Sequence, residues 1–181
     1  MPETPATGIV RNPDLLTIYC NDHLATATGG VELVVRMLGR HRGNRYEGPL
    51  EQLLDELREE RVALRTTLGV LGLPVRQYKQ LGVWVAEKLS RGKLNGRVVT
   101  RSPLSDLVEF EFIATAVLAK RAGFETLRAL GEVDGRIDTA LYERLIDQAD
   151  NQHHWLSEAR RDVAASVFGG QPQAASDAAD T

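Results

Sequence analysis

Apolar residues recur at helical spacing along four long stretches of the chain, and the stretch after Pro49 shows the pattern most clearly. Its leucines are spaced three, four or seven residues apart and form one stripe on a helix: Leu50, Leu54, Leu57, Leu64, Leu68 and Leu71. Glu60 and Arg61 fall where this stripe is interrupted. The pattern predicts an amphipathic helix with a polar position near the middle of its core face.

Proline and glycine mark the ends of the predicted helices. Proline fits the first helical turn because its missing N–H would have no partner there, and glycine is common just after the last turn. The predicted long helices are A (residues 13–42), B (49–71), C (103–130) and D (138–168). A short helix over residues 74–91 is predicted between B and C. Asn12, Ser102 and Asp138 are the predicted N-caps.

Each long helix carries a polar residue at or beside the middle of its predicted core face. The core face of helix A is predicted to contain Leu15, Ile18, Asp22, Ala25 and Leu33. That of helix C is predicted to contain Leu104, Leu107, Glu111, Ala114 and Leu118. That of helix D is predicted to contain Leu141, Leu145, Ala149, Leu156 and Val163, with Asp150 and His153 at its edge. We therefore expect polar side chains inside the assembled helices.

The lengths of the links predict how the helices are connected. Short links join A to B and C to D, so each pair is expected to form an antiparallel hairpin, and residues 72–102 are long enough to cross from one end of the helices to the other. We therefore expect an all-α fold, a four-helix bundle over residues 13–168 with a long helical crossover between helices B and C. The polar, small-residue segments 1–12 and 169–181 are expected to be flexible tails.

Composition and charge limit which partners, metal sites and cellular locations are expected for this chain. The chain of 181 residues is 43% hydrophobic and 26% charged, as soluble globular proteins are. Its net charge of -3 argues against nucleic acid as a partner. Cys20 is the only cysteine, which rules out an internal disulfide and a multi-cysteine zinc site. The sequence shows no signal peptide and no apolar run long enough to span a membrane, so we expect a cytoplasmic protein.

Two helical hairpins joined by a crossover, with inward-facing carboxylates, resemble the ferritin-like superfamily. The likeness covers residues 13–168, and residues 19–38 (YCNDHLATATGGVELVVRML) look like the first helix of some uncharacterised bacterial ferritin-like proteins. In the di-iron members, helices A and C each supply a Glu, and helices B and D each supply Glu-x-x-His. The resemblance therefore implies that any metal ligands would be carboxylates and histidines on the inner faces of the helices.

The candidate metal ligands are Asp22, Glu60, Glu111, Asp150 and His153. Asp150 and His153 are three residues apart and share a helical face, as the family motif requires. The chain departs from that motif because Asp150 is one methylene shorter than Glu and no histidine follows Glu60 three residues later. Two hypotheses follow. The favoured one is a non-catalytic interaction or structural protein without a cofactor, and the other is a carboxylate-bridged di-iron or di-manganese protein that activates oxygen or handles iron.

The segment between helices B and C is locally basic, with seven cations against Glu87 between residues 72 and 102. The candidate patch for an anionic partner consists of Lys88, Arg91, Lys93, Arg97 and Arg101. The alternative, which we favour, is that these cations neutralise acidic helix B while apolar residues of the segment cover the bundle. Gly29 and Gly30 in the middle of helix A indicate either a kink or the close approach of a neighbouring helix or subunit. We expect a homo-oligomer or a protein partner.

Overall fold

The structure is a computed structural model that describes residues 10–76 and 104–169. The described residues form four α-helices and no strand, which confirms the all-α prediction: α1 (Pro13–Arg40), α2 (Glu47–Val70), α3 (Leu104–Gly131) and α4 (Thr139–Phe168). These are the predicted helices A to D, with every boundary within two residues. The predicted short helix lies outside the described residues except for residues 74–76, which are not helical. Residues 1–9 and 170–181 of the predicted tails also lie outside them.

The helix ends are fixed by local hydrogen bonds. Asp138 caps α4 as predicted, because its Oδ1 accepts from the backbone N–H of Leu141 at 2.9 Å. Asn12 is the N-cap residue of α1, also as predicted, but its side chain makes no capping hydrogen bond. Its backbone, at φ -133° and ψ 75°, instead offers the carbonyl oxygen to the N–H of Leu16. Of these two predicted N-caps, Asp138 therefore acts through its side chain and Asn12 through its backbone.

α2 ends in a glycine turn. Gly72 has φ 70°, in the left-handed region that suits glycine. The N–H of Leu73 donates to the carbonyl of Leu68 at 2.9 Å, and the N–H of Gly72 donates to the carbonyl of Gly69 at 3.0 Å. These two bonds form a Schellman motif, and Leu68 and Leu73 are both buried beside it.

Contacts along the helices fix their directions. α1 is antiparallel to α3, because His23 lies against Gly123 while Arg40, further along α1, pairs with Glu109, nearer the start of α3. The α1–α2 and α3–α4 pairs are hairpins with short links. The helices thus pack as two antiparallel hairpins placed side by side.

α2 and α3 run in the same direction. Tyr46, just before α2, contacts Phe110 near the start of α3, with ring centroids 5.1 Å apart. Further along, Glu60 of α2 pairs with Lys120 of α3 at 2.6 Å. α2 therefore ends at the opposite end of the bundle from the start of α3.

The apolar core consists of two clusters separated along the bundle axis. The cluster beside the α1–α2 link is built mainly from Leu33, Val34, Met37, Leu50, Leu53, Leu57, Phe110, Ile113, Val117 and Leu156. The other is built mainly from Cys20, Leu24, Leu64, Leu68, Phe124, Leu127, Ile137, Tyr142 and Leu145. The predicted leucine stripe of α2 is confirmed, since all six of its leucines are buried. Its interruption at Glu60 falls between the two clusters.

The predicted core faces of α1 and α3 were partly wrong. Asp22 and Glu111 are exposed, as are Leu104 and Leu118, although Leu107 and Ala114 of the same predicted stripe are buried. α3 is apolar almost all round, so periodicity alone does not choose its buried face.

The buried face of α3 carries two phenylalanines, whose burial removes a large apolar area from water. Phe110, Ile113, Val117 and Phe124 point inward together. On α1, Leu15 and Ile18 are exposed, and Cys20 and Leu24 are buried in their place.

No helix in residues 10–76 and 104–169 contains an apolar stretch long enough to cross a lipid bilayer.

Gly72 and Gly69 provide a matched test of the turn that ends α2. Gly72→Ala is expected to lower the free energy of unfolding by about 1–2 kcal/mol, because alanine is strained at a left-handed φ. Gly69→Ala is expected to raise it by about 0.5–1 kcal/mol, because Gly69 is an exposed helical glycine with open space where a Cβ would lie. Urea unfolding measures both, and a shift of the two variants in the same direction would contradict the assigned turn.

Candidate functional site

A layer of polar side chains crosses the interior between the two apolar clusters. We call it the polar layer, and it consists of Glu56, Glu60, Lys120, Gln148 and Gln152. Three helices supply it, because α2 carries the two glutamates, α3 the lysine and α4 the two glutamines. The side chains of Glu60 and Lys120 are only 3% and 13% exposed. The layer is therefore a charged site inside the bundle.

The helical repeat explains why these side chains point inward. Glu60 lies between Leu57 and Leu64 on the buried stripe of α2, and Lys120 lies between Val117 and Phe124 on that of α3. Spacings of three and four residues place each polar side chain in line with apolar residues that are held inside. The apolar clusters thus force the charged groups into the interior.

Both carboxylate oxygens of Glu60 accept hydrogen bonds. Oε2 accepts from Nζ of Lys120 at 2.6 Å, while Oε1 accepts from the amide groups of Gln148 at 2.9 Å and Gln152 at 3.0 Å. Gln152 also donates to Glu56 at 2.7 Å, and its own amide oxygen accepts from Lys120. A buried carboxylate without such donors would cost several kcal/mol, about 3–5 by the measured cost of breaking a buried pair.

Burial lowers the pKa of Lys120, because the low-polarity surroundings penalise the ammonium form, while Glu60 acts in the opposite direction and favours it. The ammonium also lies 5.8 Å from the ring centroid of Phe124. Lys120 is therefore held among one acidic, one amide and one aromatic partner.

A cavity of about 100 Å³ lies beside the polar layer, between α1, α2 and α3. Glu60 and Lys120 form one side of it. Small residues form much of the rest, namely Ala27 and Gly30 of α1 and Ala116, Ala119 and Gly123 of α3. Leucine, isoleucine, valine and phenylalanine side chains form most of the remaining wall, and Tyr19, Cys20, His23 and Thr26 of α1 also line the cavity. The cavity is thus mainly apolar with one charged side.

His23 packs directly on the backbone of α3 beside this cavity. A Cβ built on Gly123 would lie 2.7 Å from Cε1 of His23, so the imidazole needs a glycine there. The ring of Tyr19 meets His23 edge to face at a centroid distance of 4.6 Å. Burial lowers the pKa of His23, and the nearby carboxylate of Asp22 opposes that shift. His23 is therefore held mainly as a neutral ring near the cavity.

Cys20 also lines the cavity, and burial raises the pKa of its thiol to about 11. At neutral pH the side chain is a thiol, whereas the thiolate is the form that attacks electrophiles and binds metals. Cys20 therefore acts as a small core residue.

Of the five candidate metal ligands, only Glu60 belongs to the polar layer. Asp22 and Glu111 are exposed on α1 and α3, and Oε1 of Glu111 lies 3.6 Å from the guanidinium of Arg160. These two carboxylates lie on outer faces, because the buried face of α1 is formed by residues such as Cys20 and Leu24. That of α3 is formed by residues such as Phe110 and Ile113.

The predicted Asp150–His153 pair lies outside the layer as well. Asp150 is exposed, and its Oδ1 accepts from Nε of Arg121 at 2.6 Å. His153 is half-buried, with Nε2 3.4 Å from Oγ of Ser157. On α4 the inward positions that face Glu60 are taken instead by Gln148 and Gln152.

The structure does not bring the candidate ligands together. In residues 10–76 and 104–169, no three His, Cys, Asp or Glu side chains form a group that could hold a metal ion. The arrangement of the five residues therefore does not fit a shared dinuclear site, and iron or manganese binding stays a prediction. The candidate anionic-partner patch, Lys88, Arg91, Lys93, Arg97 and Arg101, lies outside the described residues.

Sequence reasoning missed four members of the polar layer. Lys120 had a usable signal, because it follows Ile113 and Val117 at spacings that continue the buried stripe to Phe124. Gln148 and Gln152 are four residues apart and flank Ala149 on the predicted core face of α4. That spacing indicates one shared face but does not show that a carboxylate from another helix meets it.

Comparisons with protein-family models, curated proteins and solved structures found no match to this chain.

Removing the ammonium of the polar layer is expected to destabilise the fold strongly. Lys120→Met leaves the buried carboxylate of Glu60 without its cation, and breaking a buried pair typically costs about 3–5 kcal/mol. Adding Glu60→Gln removes the unpaired charge, so the double variant is expected to recover much of that loss. Urea unfolding of both variants checks this, and a single variant as stable as the wild type would contradict the described pairing.

Acid is expected to destabilise the protein through His23. Its pKa lies below the ordinary value of 6.5, so between the two values the unfolded chain binds a proton that the folded protein does not. The free energy of unfolding therefore falls as the pH decreases below 6.5. Urea unfolding at about pH 7.5 and about pH 5.5 should show a smaller loss for His23→Gln than for the wild type.

The matched control for that experiment is His154→Gln, since His154 is exposed on α4. This variant is expected to keep the pH dependence of the wild type. If His23→Gln keeps it too, burial of the His23 ring does not control the acid response.

Proposed function

We propose that this chain is a ferritin-like helical-bundle protein that acts as a non-catalytic interaction protein and self-associates. The observation that carries the proposal is the polar layer. At the centre of the bundle, the carboxylate of Glu60 is engaged by an ammonium and two amide groups. The layer acts as an internal ion-pair network that holds the helices together.

The order and direction of the helices support the ferritin-like part of the proposal. Two antiparallel hairpins lie side by side, and α2 runs parallel to α3, so one long connection is needed between the hairpins. The ferritin-like folds have one such long crossover, whereas simple up-down-up-down bundles have short links throughout.

The partners of Glu60 support the non-catalytic part. A metal ion at this carboxylate would have to displace Lys120, which already neutralises it at 2.6 Å. Gln148 and Gln152 occupy the inward positions of α4 with neutral amides, while the charged candidates Asp150 and His153 lie outside the layer. The charges of the polar layer thus neutralise each other, which supports a structural role for Glu60 rather than a metal-binding one.

The outer face of α3 offers the surface for self-association. We call it the α3 seam, and it consists of the exposed residues Leu104, Val108, Glu111, Thr115, Leu118 and Ala122. Their spacing alternates between four and three residues, as in the seam of a coiled coil. Leu104, Val108 and Leu118 are 43–46% exposed and give this face an apolar character.

The α3 seam is complementary to itself when two copies meet antiparallel. A two-fold axis at the level of Ile113 places Val108 opposite Leu118 of the second copy, and Leu104 opposite the small Ala122. It also places Glu111 opposite Thr115, so that polar residues face each other. Two-fold dimers are the commonest symmetric oligomers, and they require a self-complementary patch of this kind.

Charge placed on the α3 seam is expected to prevent self-association. Light scattering after size exclusion should give the mass of two chains for the wild type and of one chain for Leu118→Lys, because a lysine there would face Val108 of the second copy. The matched control is Val62→Lys, which charges an exposed valine on α2 and should stay dimeric. A wild type with the mass of one chain, or dissociation of both variants, would overturn the proposed interface.

A further inference from the structure

The cavity beside the polar layer is left open by small residues rather than by poor packing of large ones. Ala27, Gly30 and Ala116 border it, and a Cβ built on Gly30 would lie 3.9 Å from its nearest side-chain neighbour, Ile113. A methyl group would therefore fit on that wall. Protein interiors hold few voids larger than a water molecule, so about 100 Å³ of space beside a buried ion pair is notable.

The charged side of the cavity has an unused donor. Nζ of Lys120 carries three protons, and its hydrogen-bond acceptors among the described residues are Glu60 and Gln152. Lys120 and Phe124 both line the cavity. The third proton of the ammonium is thus available to an acceptor placed in the cavity.

The charge balance selects a neutral acceptor. Glu60 already neutralises Lys120 and itself lines the cavity. An anion bound to Lys120 would therefore meet the carboxylate of Glu60 in surroundings of low polarity, where like charges repel strongly.

The cavity also reaches the surface. Thr26 of α1 and Ala119 of α3 line it and are both exposed, so a small molecule can enter between these two helices. An apolar cavity of about 150 Å³ binds benzene. A cavity of about 100 Å³ therefore suits a molecule of that size or somewhat smaller.

We propose that this cavity binds a small neutral molecule with an apolar body and one hydrogen-bond acceptor, such as a short or cyclic ketone, whose oxygen accepts a hydrogen bond from Lys120. The apolar body contacts the small residues of α1 and α3, and the carbonyl oxygen lies against the polar layer. This site is separate from the α3 seam and does not depend on self-association.

Cyclopentanone is a suitable probe, measured by the shift of the thermal unfolding midpoint of the full chain and by isothermal titration. Binding to the folded state raises the midpoint. Ala116→Leu fills the cavity and is expected to abolish the shift, whereas Ala165→Leu, the same change on the exposed side of α4, should keep it. No shift in the wild type, or an equal shift in Ala116→Leu, would overturn the proposed site.

Two further probes test the chemistry of the ligand. Cyclopentane lacks the acceptor and is expected to bind about tenfold more weakly than cyclopentanone, the effect of one hydrogen bond. Lys120→Met should remove that preference. Cyclopentanecarboxylate is expected to bind more weakly than the ketone because it meets Glu60. Equal affinity for cyclopentane, or tighter binding of the carboxylate, would contradict the assigned role of Lys120.

Discussion

A carboxylate enclosed between two apolar clusters must find donors inside the protein, and the packing of this bundle depends on that requirement. Glu60 draws its donors from two other helices, because α3 supplies Lys120 and α4 supplies Gln148 and Gln152. Sliding α3 by one turn along α2 would move Lys120 by about 5.4 Å and leave two buried charges apart. We infer that the polar layer fixes the relative register of α2, α3 and α4, while the apolar clusters on either side provide most of the stability.

α1 has a different part in this arrangement. No hydrogen bond in the described residues joins it to the polar layer, and it borders that layer with Ala27 and Gly30 instead. At this level the imidazole of His23 on α1 lies against Gly123 of α3. The same side of the bundle therefore combines a closely packed imidazole, a cavity and an exposed path between two helices. The interior is thus bridged by hydrogen bonds on the α4 side and bordered by a cavity on the α1 side.

The helices themselves could be predicted from the sequence because proline, glycine and the leucine period act locally. Glu60 was also detectable, as the interruption of an otherwise continuous stripe. The buried face of α3 was not, because apolar residues surround it and the choice falls to packing against the other helices. The role of Gln148 and Gln152 could not be predicted either, because the carboxylate to which they donate belongs to another helix, α2. The candidate site thus depends on partners that are close in space and 88 to 96 residues apart in sequence.

The most direct test of the central claim, that the polar layer is an internal ion-pair network, is the metal content of the protein. The wild type and Glu60→Gln would be loaded anaerobically with Fe(II) or Mn(II), desalted and examined by elemental analysis. We expect neither protein to retain metal in a fixed ratio to the chain, because Lys120 already occupies the carboxylate of Glu60. About two metal ions per chain in the wild type, the content of a dinuclear site, lost in Glu60→Gln, would contradict the claim.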